Sequence, residues 1–218
     1  MIIVAHRMPA SSAAAAALAR AGAAIFELDV RLPAGGPAVV THFGQLGPGS
    51  ARLYNDGWRV RRARSWSRLG PPLAEAIAVL PPECEVLLDV KGPVIDAEAA
   101  ARAVVAGVPQ PERTHLCGNV GPVARAVGAL GIRVWRSVGS PTELDSALHS
   151  PGPAPWAFTV RHTMLSTEVL GALRRRAPRV MAWTVNSVDR ALVLQSLGVD
   201  GITTDRPSVM TALRAASG

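Results

Sequence analysis

The stretch Ile25-Phe26-Glu27-Leu28-Asp29-Val30 places two acidic residues inside an apolar run that is otherwise typical of a buried β-strand. Side chains alternate between the two faces of a strand, so Glu27 and Asp29 point to the same side. Two carboxylates on one buried face repel each other and lose hydration unless a cation lies between them. The stretch therefore predicts a strand that holds a divalent metal ion.

A second apolar run, Leu87-Leu88-Asp89-Val90-Lys91, ends in an acid and a base two residues apart. Lys91 is the single lysine among 23 basic residues, the others being arginine. A lysine retained in so arginine-rich a chain indicates a need for a compact charge in a tight space, with a plain ion pair as the alternative.

The bulk properties favour one domain, spanning residues 1–218, in a reducing compartment. Cys84 and Cys117 are too few for a disulfide framework or a metal-ligand set and predict buried thiols. The N-terminus lacks the pattern of a signal peptide or anchor, so we expect a soluble cytoplasmic protein. The net charge of +7 suits an anionic partner, but no segment is typical of a nucleic-acid module, so we expect no nucleic-acid binding.

Apolar runs alternate with amphipathic segments along the whole chain, and Gly, Pro or capping residues mark the junctions. Strands are predicted near 2–5, 24–30, 86–91, 113–117, 132–136, 156–160, 180–185 and 200–204. Helices are predicted near 11–21, 71–80, 95–107, 120–129, 141–148, 166–176, 187–197 and 207–216. This alternation predicts an α/β fold, a single (β/α)₈ TIM barrel.

The segment 37–42 is strand-like but follows the second predicted strand too closely for a crossover helix. It therefore predicts a short β-hairpin after strand 2, turning at Gly35-Gly36. Such a hairpin returns His42 to the neighbourhood of Asp29. His6 ends the first strand, so both histidines are expected near the acids at the C-terminal face of the barrel.

Several motifs occur in one order along the chain: Ala5-His6-Arg7, Glu27-Leu28-Asp29-Val30, Val39-Val40-Thr41-His42, Asp89-Val90-Lys91-Gly92-Pro93, Ala182-Trp183-Thr184-Val185-Asn186 and Leu197-Gly198-Val199-Asp200-Gly201-Ile202-Thr203-Thr204-Asp205-Arg206-Pro207. In residues and spacing the chain resembles the glycerophosphodiester phosphodiesterase family. The resemblance implies hydrolysis of a glycerophosphodiester or a related small alcohol phosphodiester.

The resemblance also implies a role for each acid and base. Glu27, Asp29 and Asp89 would hold one divalent cation, Mg²⁺ or Ca²⁺, because oxygen ligands suit a hard metal. Arg7 and Lys91 would bind the phosphate oxygens.

His6 and His42 would divide the proton transfers, and Trp183 would form an apolar wall against the substrate. Unlike His6 and His42, the other histidines do not end strands beside acidic residues in the predicted barrel: His115, His149 and His162. Asn186 and Asp205 are of a type that ties loops together.

The chain departs from the family pattern at Met8-Pro9-Ala10-Ser11-Ser12, where relatives have glycine and then Glu-Asn-Thr. Asp89 replaces a longer glutamate, and Phe43 stands where aspartate is usual. These differences keep two alternatives open. One is phospholipid headgroup cleavage of the sphingomyelinase D or lysophospholipase D type, and the other is a barrel that binds an anionic ligand without conventional hydrolysis.

The stretch Trp58–Arg68 contains five arginines and two tryptophans. It suits a basic, aromatic lid that contacts an anionic substrate or a membrane surface, and it equally suits a solvated loop whose tryptophans cover the barrel edge.

Overall fold

The computed structural model describes residues 1–7, 9–32, 36–41, 70–91, 94, 96–118, 121 and 123–216. The strands are β1 (Ile2–Ala5), β2 (Ile25–Arg31), β3 (Val39–Val40), β4 (Glu85–Val90), β5 (Thr114–Gly118), β6 (Arg133–Val138), β7 (Ala157–Arg161), β8 (Val180–Trp183) and β9 (Gly201–Thr204). The α-helices are α1 (Ser12–Ala21), α2 (Leu73–Ala78), α3 (Ala97–Gly107), α4 (Ala124–Gly128), α5 (Pro141–His149), α6 (Thr167–Arg174), α7 (Val188–Leu197) and α8 (Pro207–Ala215).

Over these described residues, eight parallel strands close into a barrel in the order β1, β2, β4, β5, β6, β7, β8, β9 and back to β1. Eight α-helices alternate with the parallel strands in the same part of the chain. The predicted TIM barrel is therefore confirmed, and most strand bounds differ from the prediction by one or two residues.

The predicted hairpin is present as well. β3 pairs antiparallel with the end of β2, with Val30 opposite Val40 and Arg31 opposite Val39. The Thr41 amide donates a hydrogen bond of 2.9 Å to the Asp29 carbonyl oxygen, so the chain does return to Asp29. Gly35, one of the two predicted turn residues, and His42 lie outside the described residues.

The core has two parts because each strand of a closed parallel barrel is covered on both faces. The larger part lies between strands and helices and includes Phe26, Leu88 and Ile202. The smaller part fills the barrel interior with Val4, Ile25, Leu87, Cys117, Trp135, Ala157 and Met181. Polar groups occupy the interior beyond this apolar layer, at the C-terminal ends of the strands. Cys84 and Cys117 are buried free thiols, as predicted.

None of the described helices is long and apolar enough to cross a membrane.

Candidate active site

A cluster of carboxylates lies at the C-terminal ends of β2 and β4. The parallel register places Asp29 beside Asp89, and Glu27 precedes Asp29 by two residues on the same face. One oxygen from each of these three residues lies within 4.8 Å of the other two. Glu27 and Asp29 are only 3% and 4% exposed, so two acids of the cluster are withdrawn from water.

Lys91 follows β4 and binds two members of the carboxylate cluster. Its ammonium lies 3.0 Å from Asp29 Oδ1 and donates a hydrogen bond to Asp89 Oδ2. Burial by itself would lower the pKa of Lys91, but the Asp89 and Asp29 carboxylates outweigh it and raise the pKa above its ordinary value. The lysine therefore stays protonated and forms an ion pair with both carboxylates.

The cluster carries more negative charge than Lys91 can neutralise. Burial, followed by the charges of Asp29 and Asp89, raises the pKa of Glu27 well above its usual range. Burial also raises the pKa of Asp89, although Lys91 opposes the change. Among the described residues, Glu27 Oε1 is buried and has no hydrogen-bond partner. A hard divalent cation would relieve both the charge and the missing partner, so these residues fit Mg²⁺ or Ca²⁺.

Arg7 orients Glu27 through its backbone. Within the described part of the chain, Arg7 is the one residue other than glycine with a left-handed φ, 72°. Its amide donates a 2.9 Å hydrogen bond to Glu27 Oε2, while its side chain borders the cleft above the cluster. Strained backbone of this kind persists where the surroundings fix it and is frequent at active sites.

His6 is held by a hydrogen-bond chain from the last strand of the barrel. His6 Nδ1 lies 2.7 Å from Asp205 Oδ1, and Nε2 lies 3.8 Å from Glu27 Oε2. Asn186 donates a 2.8 Å hydrogen bond to Asp205 Oδ2 and accepts one of 3.0 Å from the Asp205 amide. An ionised carboxylate only accepts, so the hydrogen-bond pattern assigns the Nδ1 proton to His6 and leaves Nε2 available toward the cleft.

Asp205 is an effective partner because it remains ionised. Burial by itself would raise the pKa of Asp205, but hydrogen bonds from Asn186 and His6 and the charge of His6 outweigh burial, so the pKa lies below its usual value. The sequence predicted the tying role of Asn186 and Asp205, but it did not predict the pairing with His6, which lies 199 positions away.

Gly118 makes room for Asp89 at the end of β5. Its φ is +81°, and an added Cβ would overlap Asp89 Oδ1 and lie 2.6 Å from the Val90 carbonyl oxygen. Sequence reasoning missed this residue, and the available signal was a glycine directly after an apolar strand.

The predicted site residues that are described border one cleft of about 720 Å³. Trp183 forms part of its wall, and its indole N–H donates a 3.0 Å hydrogen bond to the Thr159 carbonyl oxygen. The other described lining residues contributed by the 137–184 region are small or polar: Ser137, Gly139, Ser140, Glu143, Thr159, Arg161 and Thr184. The structure thus brings together His6, Arg7, Glu27, Asp29, Asp89, Lys91 and Trp183, whereas His42 and Trp58–Arg68 lie outside the described residues.

Solved structures of several phosphodiesterases share this fold. A phosphodiesterase from Oleispira antarctica, in complex with the product sn-glycerol-3-phosphate, aligns with a TM-score of 0.72 at 18% identity, covering 98% of this chain and 97% of that one. A glycerophosphodiester phosphodiesterase from Thermotoga maritima gives a TM-score of 0.68 at 18% identity, with 99% and 98% covered. At these identities the similarity establishes the fold.

Sequence comparison finds similarity over part of the chain. A Bacillus subtilis (strain 168) protein, YhdW, which carries a provisional glycerophosphodiester phosphodiesterase name, is 42% identical over 48 residues. That match covers 22% of this chain and spans a fifth (20%) of the relative's length. The family model for glycerophosphoryl diester phosphodiesterases matches residues 127–209, from α4 to α8, a stretch that includes Trp183, Asn186 and Asp205. The family match covers less than half of the chain, so over residues 127–209 the chain is similar to glycerophosphoryl diester phosphodiesterases, and its fold is the one that the solved phosphodiesterases share.

Proposed function

We propose that this chain is a phosphoric diester hydrolase that cleaves a glycerophosphodiester or a related small alcohol diester. The observation that carries the proposal is the carboxylate cluster, with its buried Glu27 oxygen that lacks a described partner, beside His6, Arg7 and Lys91 in one cleft. The match of residues 127–209 to the glycerophosphoryl diester phosphodiesterase family supports the reaction type. The Oleispira antarctica structure contains sn-glycerol-3-phosphate as a product, which supports the choice of substrate class.

Glu27, Asp29 and Asp89 would hold one divalent cation, Mg²⁺ or Ca²⁺. When bound, the cation polarises a phosphoryl oxygen and offsets the charge that develops on it. Arg7 borders the cleft with an exposed guanidinium, which suits bidentate binding of the phosphate. Lys91 adds a permanent positive charge and keeps the Asp29 and Asp89 carboxylates in place.

The proton transfers are assigned to His6 and His42. One imidazole takes the proton of the attacking hydroxyl as the new P–O bond forms, and the other gives a proton to the departing alcohol oxygen as the old P–O bond breaks. The His6–Asp205 hydrogen bond supports the assignment of His6, because it fixes the ring with Nε2 available. The role of His42 rests on the resemblance and stays a prediction.

The lining of the cleft favours a small polar substrate over a lipid. Headgroup cleavage from a lysolipid or sphingolipid would need an apolar channel beside Trp183. The described residues that line the cleft near Trp183 include Ser140, Glu143 and Arg161, which do not form such a channel. The membrane contact predicted for Trp58–Arg68 and the cytoplasmic location are not needed for a small diester, and both remain predictions.

Calorimetric titration of Mg²⁺ and Ca²⁺ into metal-stripped protein tests the proposal, with hydrolysis of bis(p-nitrophenyl) phosphate and glycerophosphodiesters followed in the same samples. Asp29→Ala removes one proposed ligand, and Asp145→Ala, at an exposed position on α5, is the matched control. We expect metal binding and turnover in the wild type and in Asp145→Ala, and loss of both in Asp29→Ala. Absence of metal binding in the wild type would instead support a barrel that binds an anion without conventional hydrolysis.

A further inference from the structure

We propose that Arg161 determines which leaving alcohol the cleft accepts, by disfavouring cationic alcohols such as choline and favouring neutral polyols or alcohols that carry an acid. The inference rests on the proposed function, because Arg161 borders the cleft assigned to diester hydrolysis. It adds a substrate preference that depends on a residue outside the proposed metal and proton-transfer groups.

Arg161 ends β7, and its guanidinium lies over the ring of Trp183, 5.6 Å from the ring centroid. The ring is fixed at its edge by the hydrogen bond from its N–H to the Thr159 carbonyl oxygen. Gly139 closes another edge, since a Cβ added there would lie only 3.3 Å from Trp183 Cζ2. One face of the Trp183 ring in the cleft wall is therefore already occupied by a protein cation.

The charge of Arg161 is not neutralised by a described acid. Within the described part of the chain, the salt bridges involve His6, Lys91, Arg102, His115, Arg133, His149 and Arg174, and none includes Arg161. Lys91 differs in this respect, because Asp29 and Asp89 bind it directly. Arg161 is thus the more available positive charge on the Trp183 side of the cleft.

Glu143 also lines the cleft on this side, and its carboxylate is bound by the protein itself. Glu143 Oε2 accepts a 2.7 Å hydrogen bond from the Gly139 amide. The residue also lies in the first turn of α5, where the helix dipole stabilises negative charge. Arg161 has no described acidic partner, whereas Glu143 is already held by the Gly139 amide, so this wall is better suited to neutral or negative groups.

The expected consequence follows from cation–π binding and Coulomb repulsion. A quaternary ammonium is attracted to an aromatic face, and Arg161 already occupies one face of Trp183. Repulsion between the Arg161 guanidinium and a ligand ammonium about 7 Å away would weaken binding by about three- to tenfold at a solvent-screened surface. We therefore expect a preference of that size for glycerophosphoglycerol, whose second alcohol is neutral glycerol, over glycerophosphocholine, whose second alcohol is cationic choline.

The test measures kcat/KM for both diesters in the wild type, Arg161→Gln and the control Arg175→Gln. Arg175 is exposed at the end of α6 and does not line the cleft. Its substitution makes the same change in net charge as Arg161→Gln without altering the cleft. A second measurement titrates both intact diesters into His6→Ala, with and without Arg161→Gln, by calorimetry. That measurement reports affinity without turnover.

We expect Arg161→Gln to shift the ratio of the two kcat/KM values about three- to tenfold toward glycerophosphocholine. Arg175→Gln should leave this ratio unchanged. An unchanged ratio in Arg161→Gln, a wild-type preference for glycerophosphocholine, or no binding of either diester would overturn the inference. If the wild type hydrolyses neither diester while His6→Ala binds them with the expected preference, the proposed function fails and the selectivity of Arg161 stands.

Discussion

Gly118 leaves space that the Asp89 carboxylate uses, and a single methyl group would take that space. In Gly118→Ala the new Cβ overlaps Asp89 Oδ1. The alanine must also adopt the left-handed φ of +81°, which favours glycine. We expect Mg²⁺ affinity, measured by calorimetry, to fall at least about tenfold because the carboxylate is displaced. The free energy of unfolding, measured in urea, should fall by about 1–3 kcal/mol.

Gly128→Ala is the matched control, because no described heavy atom outside its chain neighbours and its own helix backbone lies within 4 Å of the added Cβ. Gly128 belongs to α4, so alanine should raise the free energy of unfolding by up to about 1 kcal/mol and leave metal affinity unchanged. Unchanged metal affinity in Gly118→Ala would argue against Asp89 as a ligand.

Asp205 acts on His6 rather than on the substrate, so its replacement should affect kcat more than KM. In Asp205→Asn the amide can donate as well as accept, and the preference for the His6 tautomer with the proton on Nδ1 is lost. We expect kcat for glycerophosphoglycerol to fall by about 10- to 1000-fold with KM and metal affinity nearly unchanged. Nitrogen-15 NMR of the imidazole should show the change of tautomer.

Asp145→Asn provides the control, because Asp145 lies 3.0 Å from His149 Nδ1 in an exposed pair on α5. That substitution removes an Asp–His pair outside the cleft and should leave kcat unaltered. Equal kinetics for Asp205→Asn and the wild type would show that the His6–Asp205 hydrogen bond has no part in turnover.

At the scale of the element, α1 shows how capping stabilises a helix with a small apolar face. All its residues are described, and Ala15 is its buried residue, so packing contributes little. Ser11 accepts a hydrogen bond from the Ala14 amide, and Gly22 ends the helix with a left-handed φ of 118°.

Ser11→Ala should therefore lower the free energy of unfolding by about 1 kcal/mol through loss of the N-cap hydrogen bond. Ser12→Ala, one residue later and exposed in the first turn, should change it by less than about 0.5 kcal/mol. Urea denaturation of both variants measures the difference. Equal effects at the two positions would contradict the capping role of Ser11.

At the scale of the whole molecule, a buried polar network occupies the end of the barrel opposite the cleft. His115 is fully buried, accepts a 2.8 Å hydrogen bond from the Trp135 indole and lies 2.8 Å from Glu85 Oε2. An indole N–H only donates, so His115 carries its proton on Nε2 and is neutral. Arg133 donates a further 2.8 Å hydrogen bond to Glu85.

This network makes stability depend on pH. Burial lowers the pKa of His115 below its ordinary value of 6.5, although Glu85 opposes the change. At pH values between the lowered folded-state pKa and the ordinary pKa, His115 of the unfolded chain binds a proton that the folded protein does not bind. The stabilisation from neutral His115 is therefore complete above the ordinary pKa and is lost as pH falls through it toward the folded-state pKa.

The wild type should exceed His115→Gln in free energy of unfolding by about 1–3 kcal/mol at pH 7.5, because the variant loses hydrogen bonds in a buried network. The difference should shrink as pH falls from 7.5 to 5, as measured by urea denaturation at each pH. His149→Gln, at an exposed position, should differ from the wild type by less than about 0.5 kcal/mol throughout. A difference for His115→Gln that is constant with pH would contradict the neutral assignment.

Much of the fold could be predicted because the signals are local. The alternation in β2 and the capping residues around α1 depend only on near neighbours, and both appear where expected. The shared face of Glu27 and Asp29 follows from strand geometry alone. The hydrogen-bond partner of His115 could not be predicted, because Glu85 lies on the neighbouring strand and is 30 residues away in the sequence.

The sequence by itself determined the barrel and most members of the cleft, since periodicity and motif order specify which residues end each strand. Only the tertiary structure decided which of them act on one another. The His6–Asp205 hydrogen bond forms where β1 meets β9, and the Gly118 contact with Asp89 depends on the register of β4 and β5. Those contacts are set by barrel closure and strand register, which join positions far apart in the chain and leave no local pattern to detect.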